Sequence, residues 1–508
     1  MAPRQPRHLF GAAHPDAPRE FAARTEAHRT THRAARLLRR RFFDTFDWRL
    51  HARGWVLTQN VNDLVLRDQA DGARVARIKG LTTLPSRFVR DWPDGPLKDL
   101  VAPVVGVRAV LHLVTLEGPA HTDRWVDPKT GRAWLIDHRD LHQVRRAATR
   151  PFLQVVAAAP ADDRTTGGHR LARLLRSCGY RTIDPTLFVP AMARAGLEPG
   201  GYAKGFRLDL DPRRSAGAAG AAIAMALVGR MRANRRGLEQ DIDPEFLHDF
   251  RVATRRLRTW VAEARGLLPA RLRDEATDLL RALGGATNRL RDLDVFLQQR
   301  DDLVALLPAD RHDEAELVFA RAADARTLCR RELDARLADP HFLAVLDWAA
   351  AHLGVEGAKP PKRARRRVGP EADRLLLRSY ERLRARGDTL GPRPAAADLH
   401  RVRIAAKRHR YVVEFFASLY RADAVGAHLD RLRTLQDVLG AHNDAAMQRR
   451  ELARLAPDLA AADALTTALA ARQEAECDRF AAAWDAVAGR GCRRKLRRLV
   501  RGRRKNAR

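Results

Sequence analysis

Two short segments carry the same spacing of histidine and cationic residues. Leu247-His248-Asp249-Phe250-Arg251-Val252-Ala253-Thr254-Arg255-Arg256-Leu257-Arg258 returns 152 residues later as Leu399-His400-Arg401-Val402-Arg403-Ile404-Ala405-Ala406-Lys407-Arg408-His409-Arg410, with six of the twelve positions identical. His248, Arg251, Arg255 and Arg258 therefore answer to His400, Arg403, Lys407 and Arg410. A guanidinium binds phosphate through two parallel hydrogen bonds, an ammonium adds a point charge, and an imidazole donates or becomes charged as pH falls. Eight such groups would repel one another if brought together, and an anion between them would remove the repulsion. The chemistry on offer is the binding of a phosphate-rich polyanion. A lone basic helix face is ordinarily a solvated surface; the repetition, with few acidic partners beside it, sets these two apart.

Asp243-Pro244-Glu245 marks a helix start, with Asp243 as the cap and Pro244 in the first turn. At about 100° per residue, Phe250, Leu257, Val261 and Ala264 share one face, with Ala253 and Trp260 at its edge. His248, Arg251, Arg255 and Arg258 fall on the other side. In the copy, Val402, Ala405, Val413 and Phe416 make the apolar face, which His409 interrupts, and His400, Arg403, Lys407 and Arg410 the basic one. The same offset pairs Leu283 with Leu435 and Arg291-Asp292 with Asn443-Asp444. A half-domain duplicated in this way predicts two similar helical units.

These segments resemble the CHAD family, the conserved-histidine α-helical domain. The resemblance rests on a His three residues before an Arg, followed by a basic cluster on the same helix, once in each half. Tyr411 and Glu414 after the second copy, Arg291-Asp292-Leu293-Asp294, and His442-Asn443-Asp444 match further motifs. The resemblance spans about residues 215–490. It implies two four-helix bundles related by pseudo-twofold symmetry around a basic channel, and binding of inorganic polyphosphate. Carried over residue by residue, it implies contacts from His248, Arg251, Arg255, Arg258, His400, Arg403, Lys407 and Arg410.

Composition points the same way. The chain has 508 residues and a formal charge of +32, which favours a polyanionic partner: polyphosphate, nucleic acid or an anionic membrane surface. Both halves of the chain are basic, so charge alone does not locate a site. Cys178, Cys329, Cys477 and Cys492 are widely spaced, as expected in a reducing compartment without structural disulfides. No run approaches 18 consecutive apolar residues and no signal-like apolar segment begins the chain. The expectation is a cytoplasmic protein without a membrane span, with association with polyphosphate granules and the oligomeric state left open.

Residues 1–40 read as irregular or weakly helical, and 41–160 as strands. Leu64–Arg67 and Arg74–Lys79 form a hairpin around Gly72, and Arg124–Val126 and Ala133–Ile136 form another through Asp127-Pro128-Lys129-Thr130-Gly131. Residues 169–178 read as a short helix ending at Gly179. A boundary falls in the Gly/Ala-rich stretch 198–220. Helices are expected near 217–238, 244–266, 271–300, 311–338, 371–387, 395–420, 424–455 and 460–488. The prolines in Lys359-Pro360-Pro361-Lys362-Arg363-Ala364-Arg365-Arg366-Arg367 exclude a continuous helix there, and 491–508 read as a basic tail. The resulting expectation is an α+β multidomain chain: a β-barrel-like domain at 1–205, a linker at 206–215, a helical domain at 216–490 with halves at 216–353 and 371–490, and the tail.

Arg41-Phe42-Phe43-Asp44-Thr45-Phe46-Asp47, with Leu50 and Gly54, resembles the CYTH or triphosphate-tunnel family. That resemblance implies a closed antiparallel barrel and basic tunnel positions at Lys79, Arg108 and Arg124, with a turn at Gly131. The family's alternating glutamates, which hold a divalent metal on one strand face, are missing. Glu20 and Glu26 are the nearest candidates, and Thr58-Gln59-Asn60 replaces a basic pair. Without those carboxylates triphosphate hydrolysis is not expected. His121, Asp123, Asp127, Asp137, His138 and His142 are scattered in a strand region; they could act as metal ligands, but the expectation is solvated loop residues. Gly284-Gly285 lacks the Lys-Ser/Thr of a phosphate loop. The basic runs 362–367 and 493–505 offer phosphate contacts without interleaved aromatics for base stacking. The reading is a non-catalytic polyphosphate-binding protein without cofactor or metal. Its alternatives are a metal-dependent triphosphatase or polyphosphatase and a non-specific nucleic-acid-binding protein.

Overall fold

In a computed structural model the chain divides into two compact units, Met1–Lys204 and Gly205–Arg508. The structure describes residues 8–145, 148–161, 168–202, 205–355, 357, 359–391 and 393–506. Residues 1–7 of the expected irregular N-terminus and 507–508 of the expected tail lie outside them.

Among the described residues the first unit is built on nine antiparallel strands: β1 (His8–Ala12), β2 (Arg29–Thr45), β3 (Trp55–Gln59), β4 (Asp63–Asp68), β5 (Arg74–Lys79), β6 (Val110–Val126), β7 (Ala133–Arg145), β8 (Ala148–Pro160) and β9 (Tyr180–Thr182). Their order across the sheet is β5-β4-β3-β2-β6-β7-β8-β1-β9. Helices α1 (Ala17–Thr25), α2 (Arg49–Ala52), α3 (Pro96–Val105), α4 (Gly168–Ser177) and α5 (Phe188–Arg194) accompany it. Both expected hairpins are present, β4–β5 with Gly72 at φ +70° and β6–β7 with Gly131 at φ +65°. Strand structure starts well before residue 41, however. The Arg-rich segment from 29 pairs with β6 from Arg29↔Trp125 to Thr45↔Val110 through three register shifts. The partner strand supplies that ladder, so local composition concealed it.

The second unit is helical. Its elements are α6 (Ala216–Glu239), α7 (Pro244–Glu263), α8 (Ala270–Gly285), α9 (Asn288–Gln298), α10 (Arg300–Val304), α11 (His312–Ala338), α12 (Pro340–Leu353), α13 (Val368–Gly387), α14 (Ala396–Phe415), α15 (Ala422–Leu455), α16 (Ala460–Ala488) and α17 (Cys492–Asn506). Shifted by 152 residues, α7 falls on α14 end for end, and the first residues of α6, α8 and α12 fall on those of α13, α15 and α17. The duplication therefore runs further than the repeated motif and takes in the segment expected as a tail. Among the described residues, α12 in the first half and α17 in the second have no counterpart among the four helices expected for each half. The expected helix at 271–300 is divided into α8, α9 and the start of α10, whereas its counterpart α15 is continuous. The first break follows Gly284-Gly285, where the second half has Gln436-Asp437; glycine weakens a helix interior.

One core joins the halves. Leu227, Phe250, Leu257 and Trp260 are buried with Leu376, Tyr380, Val402 and Phe415. Trp260 meets Phe415 edge-on at 6.0 Å, and Gly220 of α6 lets that indole approach, since a Cβ there would lie 2.5 Å from it. A second core unites Phe296 and Phe319 of the first half with Leu452 and Leu465 of the second. His409, which interrupts the apolar face of α14, is fully buried in a polar chain. Ser379 gives its hydroxyl proton to the Leu376 carbonyl (3.0 Å). His409 Nδ1 then donates to Ser379 Oγ (2.8 Å), and His409 Nε2 accepts from His428 Nε2 (2.9 Å). Burial holds both imidazoles well below their ordinary pKa, His428 at about 4, so both stay neutral.

Candidate functional site

Helix α7 begins as its sequence predicts: the Asp243 carboxylate accepts from the Glu245 (2.9 Å) and Phe246 (3.3 Å) amides. Its apolar face enters the common core, so the basic face stays at the edge of the interface with α14. The two helices are tied by Arg256, whose Nη2 lies 2.7 Å from Glu414 Oε2 and whose guanidinium stacks 5.2 Å from the Tyr411 ring. Glu263 at the end of α7 takes ion pairs from Arg378 and Arg382 of α13, each at 2.9 Å. These pairs fix where the basic stripes run.

Arg251, Arg255, Arg403, Lys407 and Arg410 are all half-buried. Lys407 is pushed down to about 7, first by burial and then by the charges of Arg403 and Arg255, with Arg410 adding to them. Arg403 is lowered by burial, with Arg255 again contributing. Arg255 thus lies within electrostatic range of both α14 cations. Arg251 is pushed down to about 10 by burial and by Arg255. Its Nη1 donates to the Gly284 carbonyl (3.2 Å) and to Thr287 Oγ1 (2.8 Å), so the break between α8 and α9 serves as its rest. The Nε atoms of Arg251 and Arg403 are buried without a hydrogen-bond partner. Arg258 is exposed, and its neighbours are Arg281 and Arg408 as well as Arg255. His248 is half-buried one turn before Arg251, and His400 is exposed, with Nδ1 donating to Asn443 Oδ1 (3.0 Å).

The expectation of few acidic partners needs a correction. Asp292 of α9 and Asp444 of α15, related by the 152-residue offset, stand beside Arg251 and Arg403. Asp444 Oδ1 is 3.9 Å from Arg403, and burial raises the Asp292 pKa against the pull of Arg251. Glu414 also reaches Arg410, at 3.4 Å. Cations still outnumber these acids. Asp292 and Asp444 were visible in the sequence as an offset pair, but nothing in their spacing aimed them at the basic helices.

The N-terminal candidates are placed differently from one another. Arg108 is fully buried, 3.5 Å from Asp47, while Lys79 on the edge strand and Arg124 are exposed. The Asp44 carboxylate, raised to about 6 by burial, accepts from the Thr45, Leu50 and His51 amides and so caps α2. Glu20 lies on α1 and Glu26 in the turn after it. Of the scattered His and Asp residues, the structure brings His121, Asp123 and His138 together. Among the described residues no helix is long and apolar enough to cross a membrane.

A family model for the CHAD domain matches residues 222–453. Among solved structures, the CHAD domain from the plant Ricinus communis is 26% identical, covering 56% of this chain and 96% of that one, with a TM-score of 0.47. PptA from Streptomyces chartreusis is 20% identical over 54% of this chain and 99% of its own, with a TM-score of 0.41. HpAC1 from Hippeastrum, described as having a dominant triphosphatase activity, is 17% identical over 39% and 98%, with a TM-score of 0.26. No curated protein matches the chain. With the duplicated histidine-and-arginine helices in place, residues 222–453 are a CHAD domain.

Proposed function

We propose that the protein binds inorganic polyphosphate without transforming it, and that the polyanion lies along the basic faces of α7 and α14. The observation that carries this reading is the electrostatic cost of the free site. Arg255, Arg403 and Lys407 sit half-buried within range of one another, and Lys407 is held near 7. A chain of phosphates relieves that repulsion and offers acceptors to the buried Nε atoms of Arg251 and Arg403. Membership of the CHAD family supports the same ligand. The non-catalytic reading is supported by the N-terminal carboxylates: Asp44 caps a helix and Asp47 pairs with Arg49 and Arg108.

The nucleic-acid reading rests on charge alone. A competition titration of the full chain with polyphosphate and duplex DNA, at rising salt, tests the proposal. Polyphosphate is expected to displace DNA and to remain bound at salt concentrations that release DNA. Equal salt sensitivity and no displacement would count against it.

A further inference from the structure

The N-terminal unit holds a cluster that polyphosphate binding leaves unused. His121 of β6 stands directly across the ladder from His138 of β7. Asp123, two residues along β6, shares their face because strand side chains alternate. The imidazole rings stack 4.7 Å apart with planes 12° from parallel. Asp123 Oδ2 is 3.4 Å from His138 Nε2 and 3.8 Å from His121 Nε2. All three donor atoms lie within 4.8 Å of one another. Ligand atoms around a tetrahedral zinc ion with bonds of about 2.0–2.1 Å sit about 3.3 Å apart, so small rotations of the two rings complete a tridentate set.

We infer that His121, Asp123 and His138 bind one transition-metal dication, zinc in the first instance, with an open coordination position on the solvent side of His121. Two imidazoles and a carboxylate suit zinc and its neighbours rather than magnesium or calcium, which prefer oxygen alone. His138 Nε2 is buried and makes no hydrogen bond, a state that costs free energy unless something coordinates it. Phe21 backs the His138 ring at 6.0 Å and keeps that side dry, while His121 is half-exposed and leaves a way in. The same surroundings supply a competitor: Arg29 Nε stands 3.3 Å from Asp123 Oδ2, the oxygen the metal would use.

That competition makes the inference testable in both directions. The full chain is titrated with zinc against a chromophoric chelator. Wild type is expected to hold one zinc ion per chain. His121→Ala, at an exposed position the fold does not need, is expected to weaken it at least about tenfold, since even disturbing a ligand's supporting hydrogen bond costs about 10–100-fold. Arg29→Gln is expected to tighten zinc binding several-fold by freeing the carboxylate, an effect that chance binding by other histidines would not show. The inference is overturned if wild type retains no zinc, or if its zinc affinity is the same in His121→Ala, His138→Ala and Arg29→Gln.

Discussion

Lys407 is the residue whose state a bound polyanion would change most. Its pKa falls from 10.5 to about 7 through burial and the charges of Arg403 and Arg255. A lysine depressed in this way binds fewer protons folded than unfolded between those values. It therefore penalises the free fold fully below about pH 7, and the penalty fades as pH rises to 10.5. Phosphate charge beside the ammonium raises the folded pKa again, so binding at pH 8 takes up a proton, and affinity falls as pH climbs above 7. Calorimetry in buffers of different ionisation enthalpy checks this: wild type should show a buffer-dependent heat, and Lys407→Arg, which stays charged, should bind without it. Identical buffer dependence in both would remove Lys407 from the site. His409 illustrates the opposite case. It looked like an intruder on an apolar face, because its partners Ser379 and His428 lie 30 and 19 residues away and only the fold unites them.

Among the elements, α7 was legible down to its cap and faces, because a 3.6-residue period, Asp243 and Pro244 all encode it locally, and α14 was legible as its repeat, without a capping side chain of its own. Helix α17 was not. Its sequence is so dense in arginine that a tail was the natural reading, and its apolar residues are few. Yet Cys492, Leu496, Leu499 and Val500 are buried against the second half, as the duplication of α12 requires, and the arginines between them face solvent. The helix is thus a structural part of the unit rather than a free polyanion-binding arm. Leu496→Ala should lower stability by about 2–4 kcal/mol, in the range for a buried leucine, measured by denaturant unfolding of the full chain. A change within about 0.5 kcal/mol, the ordinary surface value, would return the segment to the status of a tail. Strand β2 escaped for a related reason: its ladder with β6 is set by a partner about 80 residues away, and its own Arg-rich texture carries little alternation.

At the scale of the whole molecule, the 152-residue duplication is the fact that explains most. It places an Arg–Asp neighbour pair in each half, Arg251 with Asp292 and Arg403 with Asp444, and joins the halves through one core. The sequence could reveal the repeat, but not the break at Gly284-Gly285 that gives Arg251 its resting contacts, nor the carboxylates turned towards the stripes. The central claim is that both stripes bind one polyanion together. Because Arg251 also holds Gly284 and Thr287, the cleaner variant is Arg255→Ala with Lys407→Ala, which removes repelling charge and should leave the fold intact. The deciding measurement is polyphosphate affinity at several salt concentrations for this variant and wild type. With charge-assisted contacts contributing about 1.5–3 kcal/mol each and 1.4 kcal/mol per decade, the variant should bind at least about tenfold more weakly. Its log K against log salt should be shallower by roughly 1.5, for two lost counterion-releasing contacts. A folded variant with wild-type affinity and an unchanged salt slope would contradict the account and move the site away from these helices.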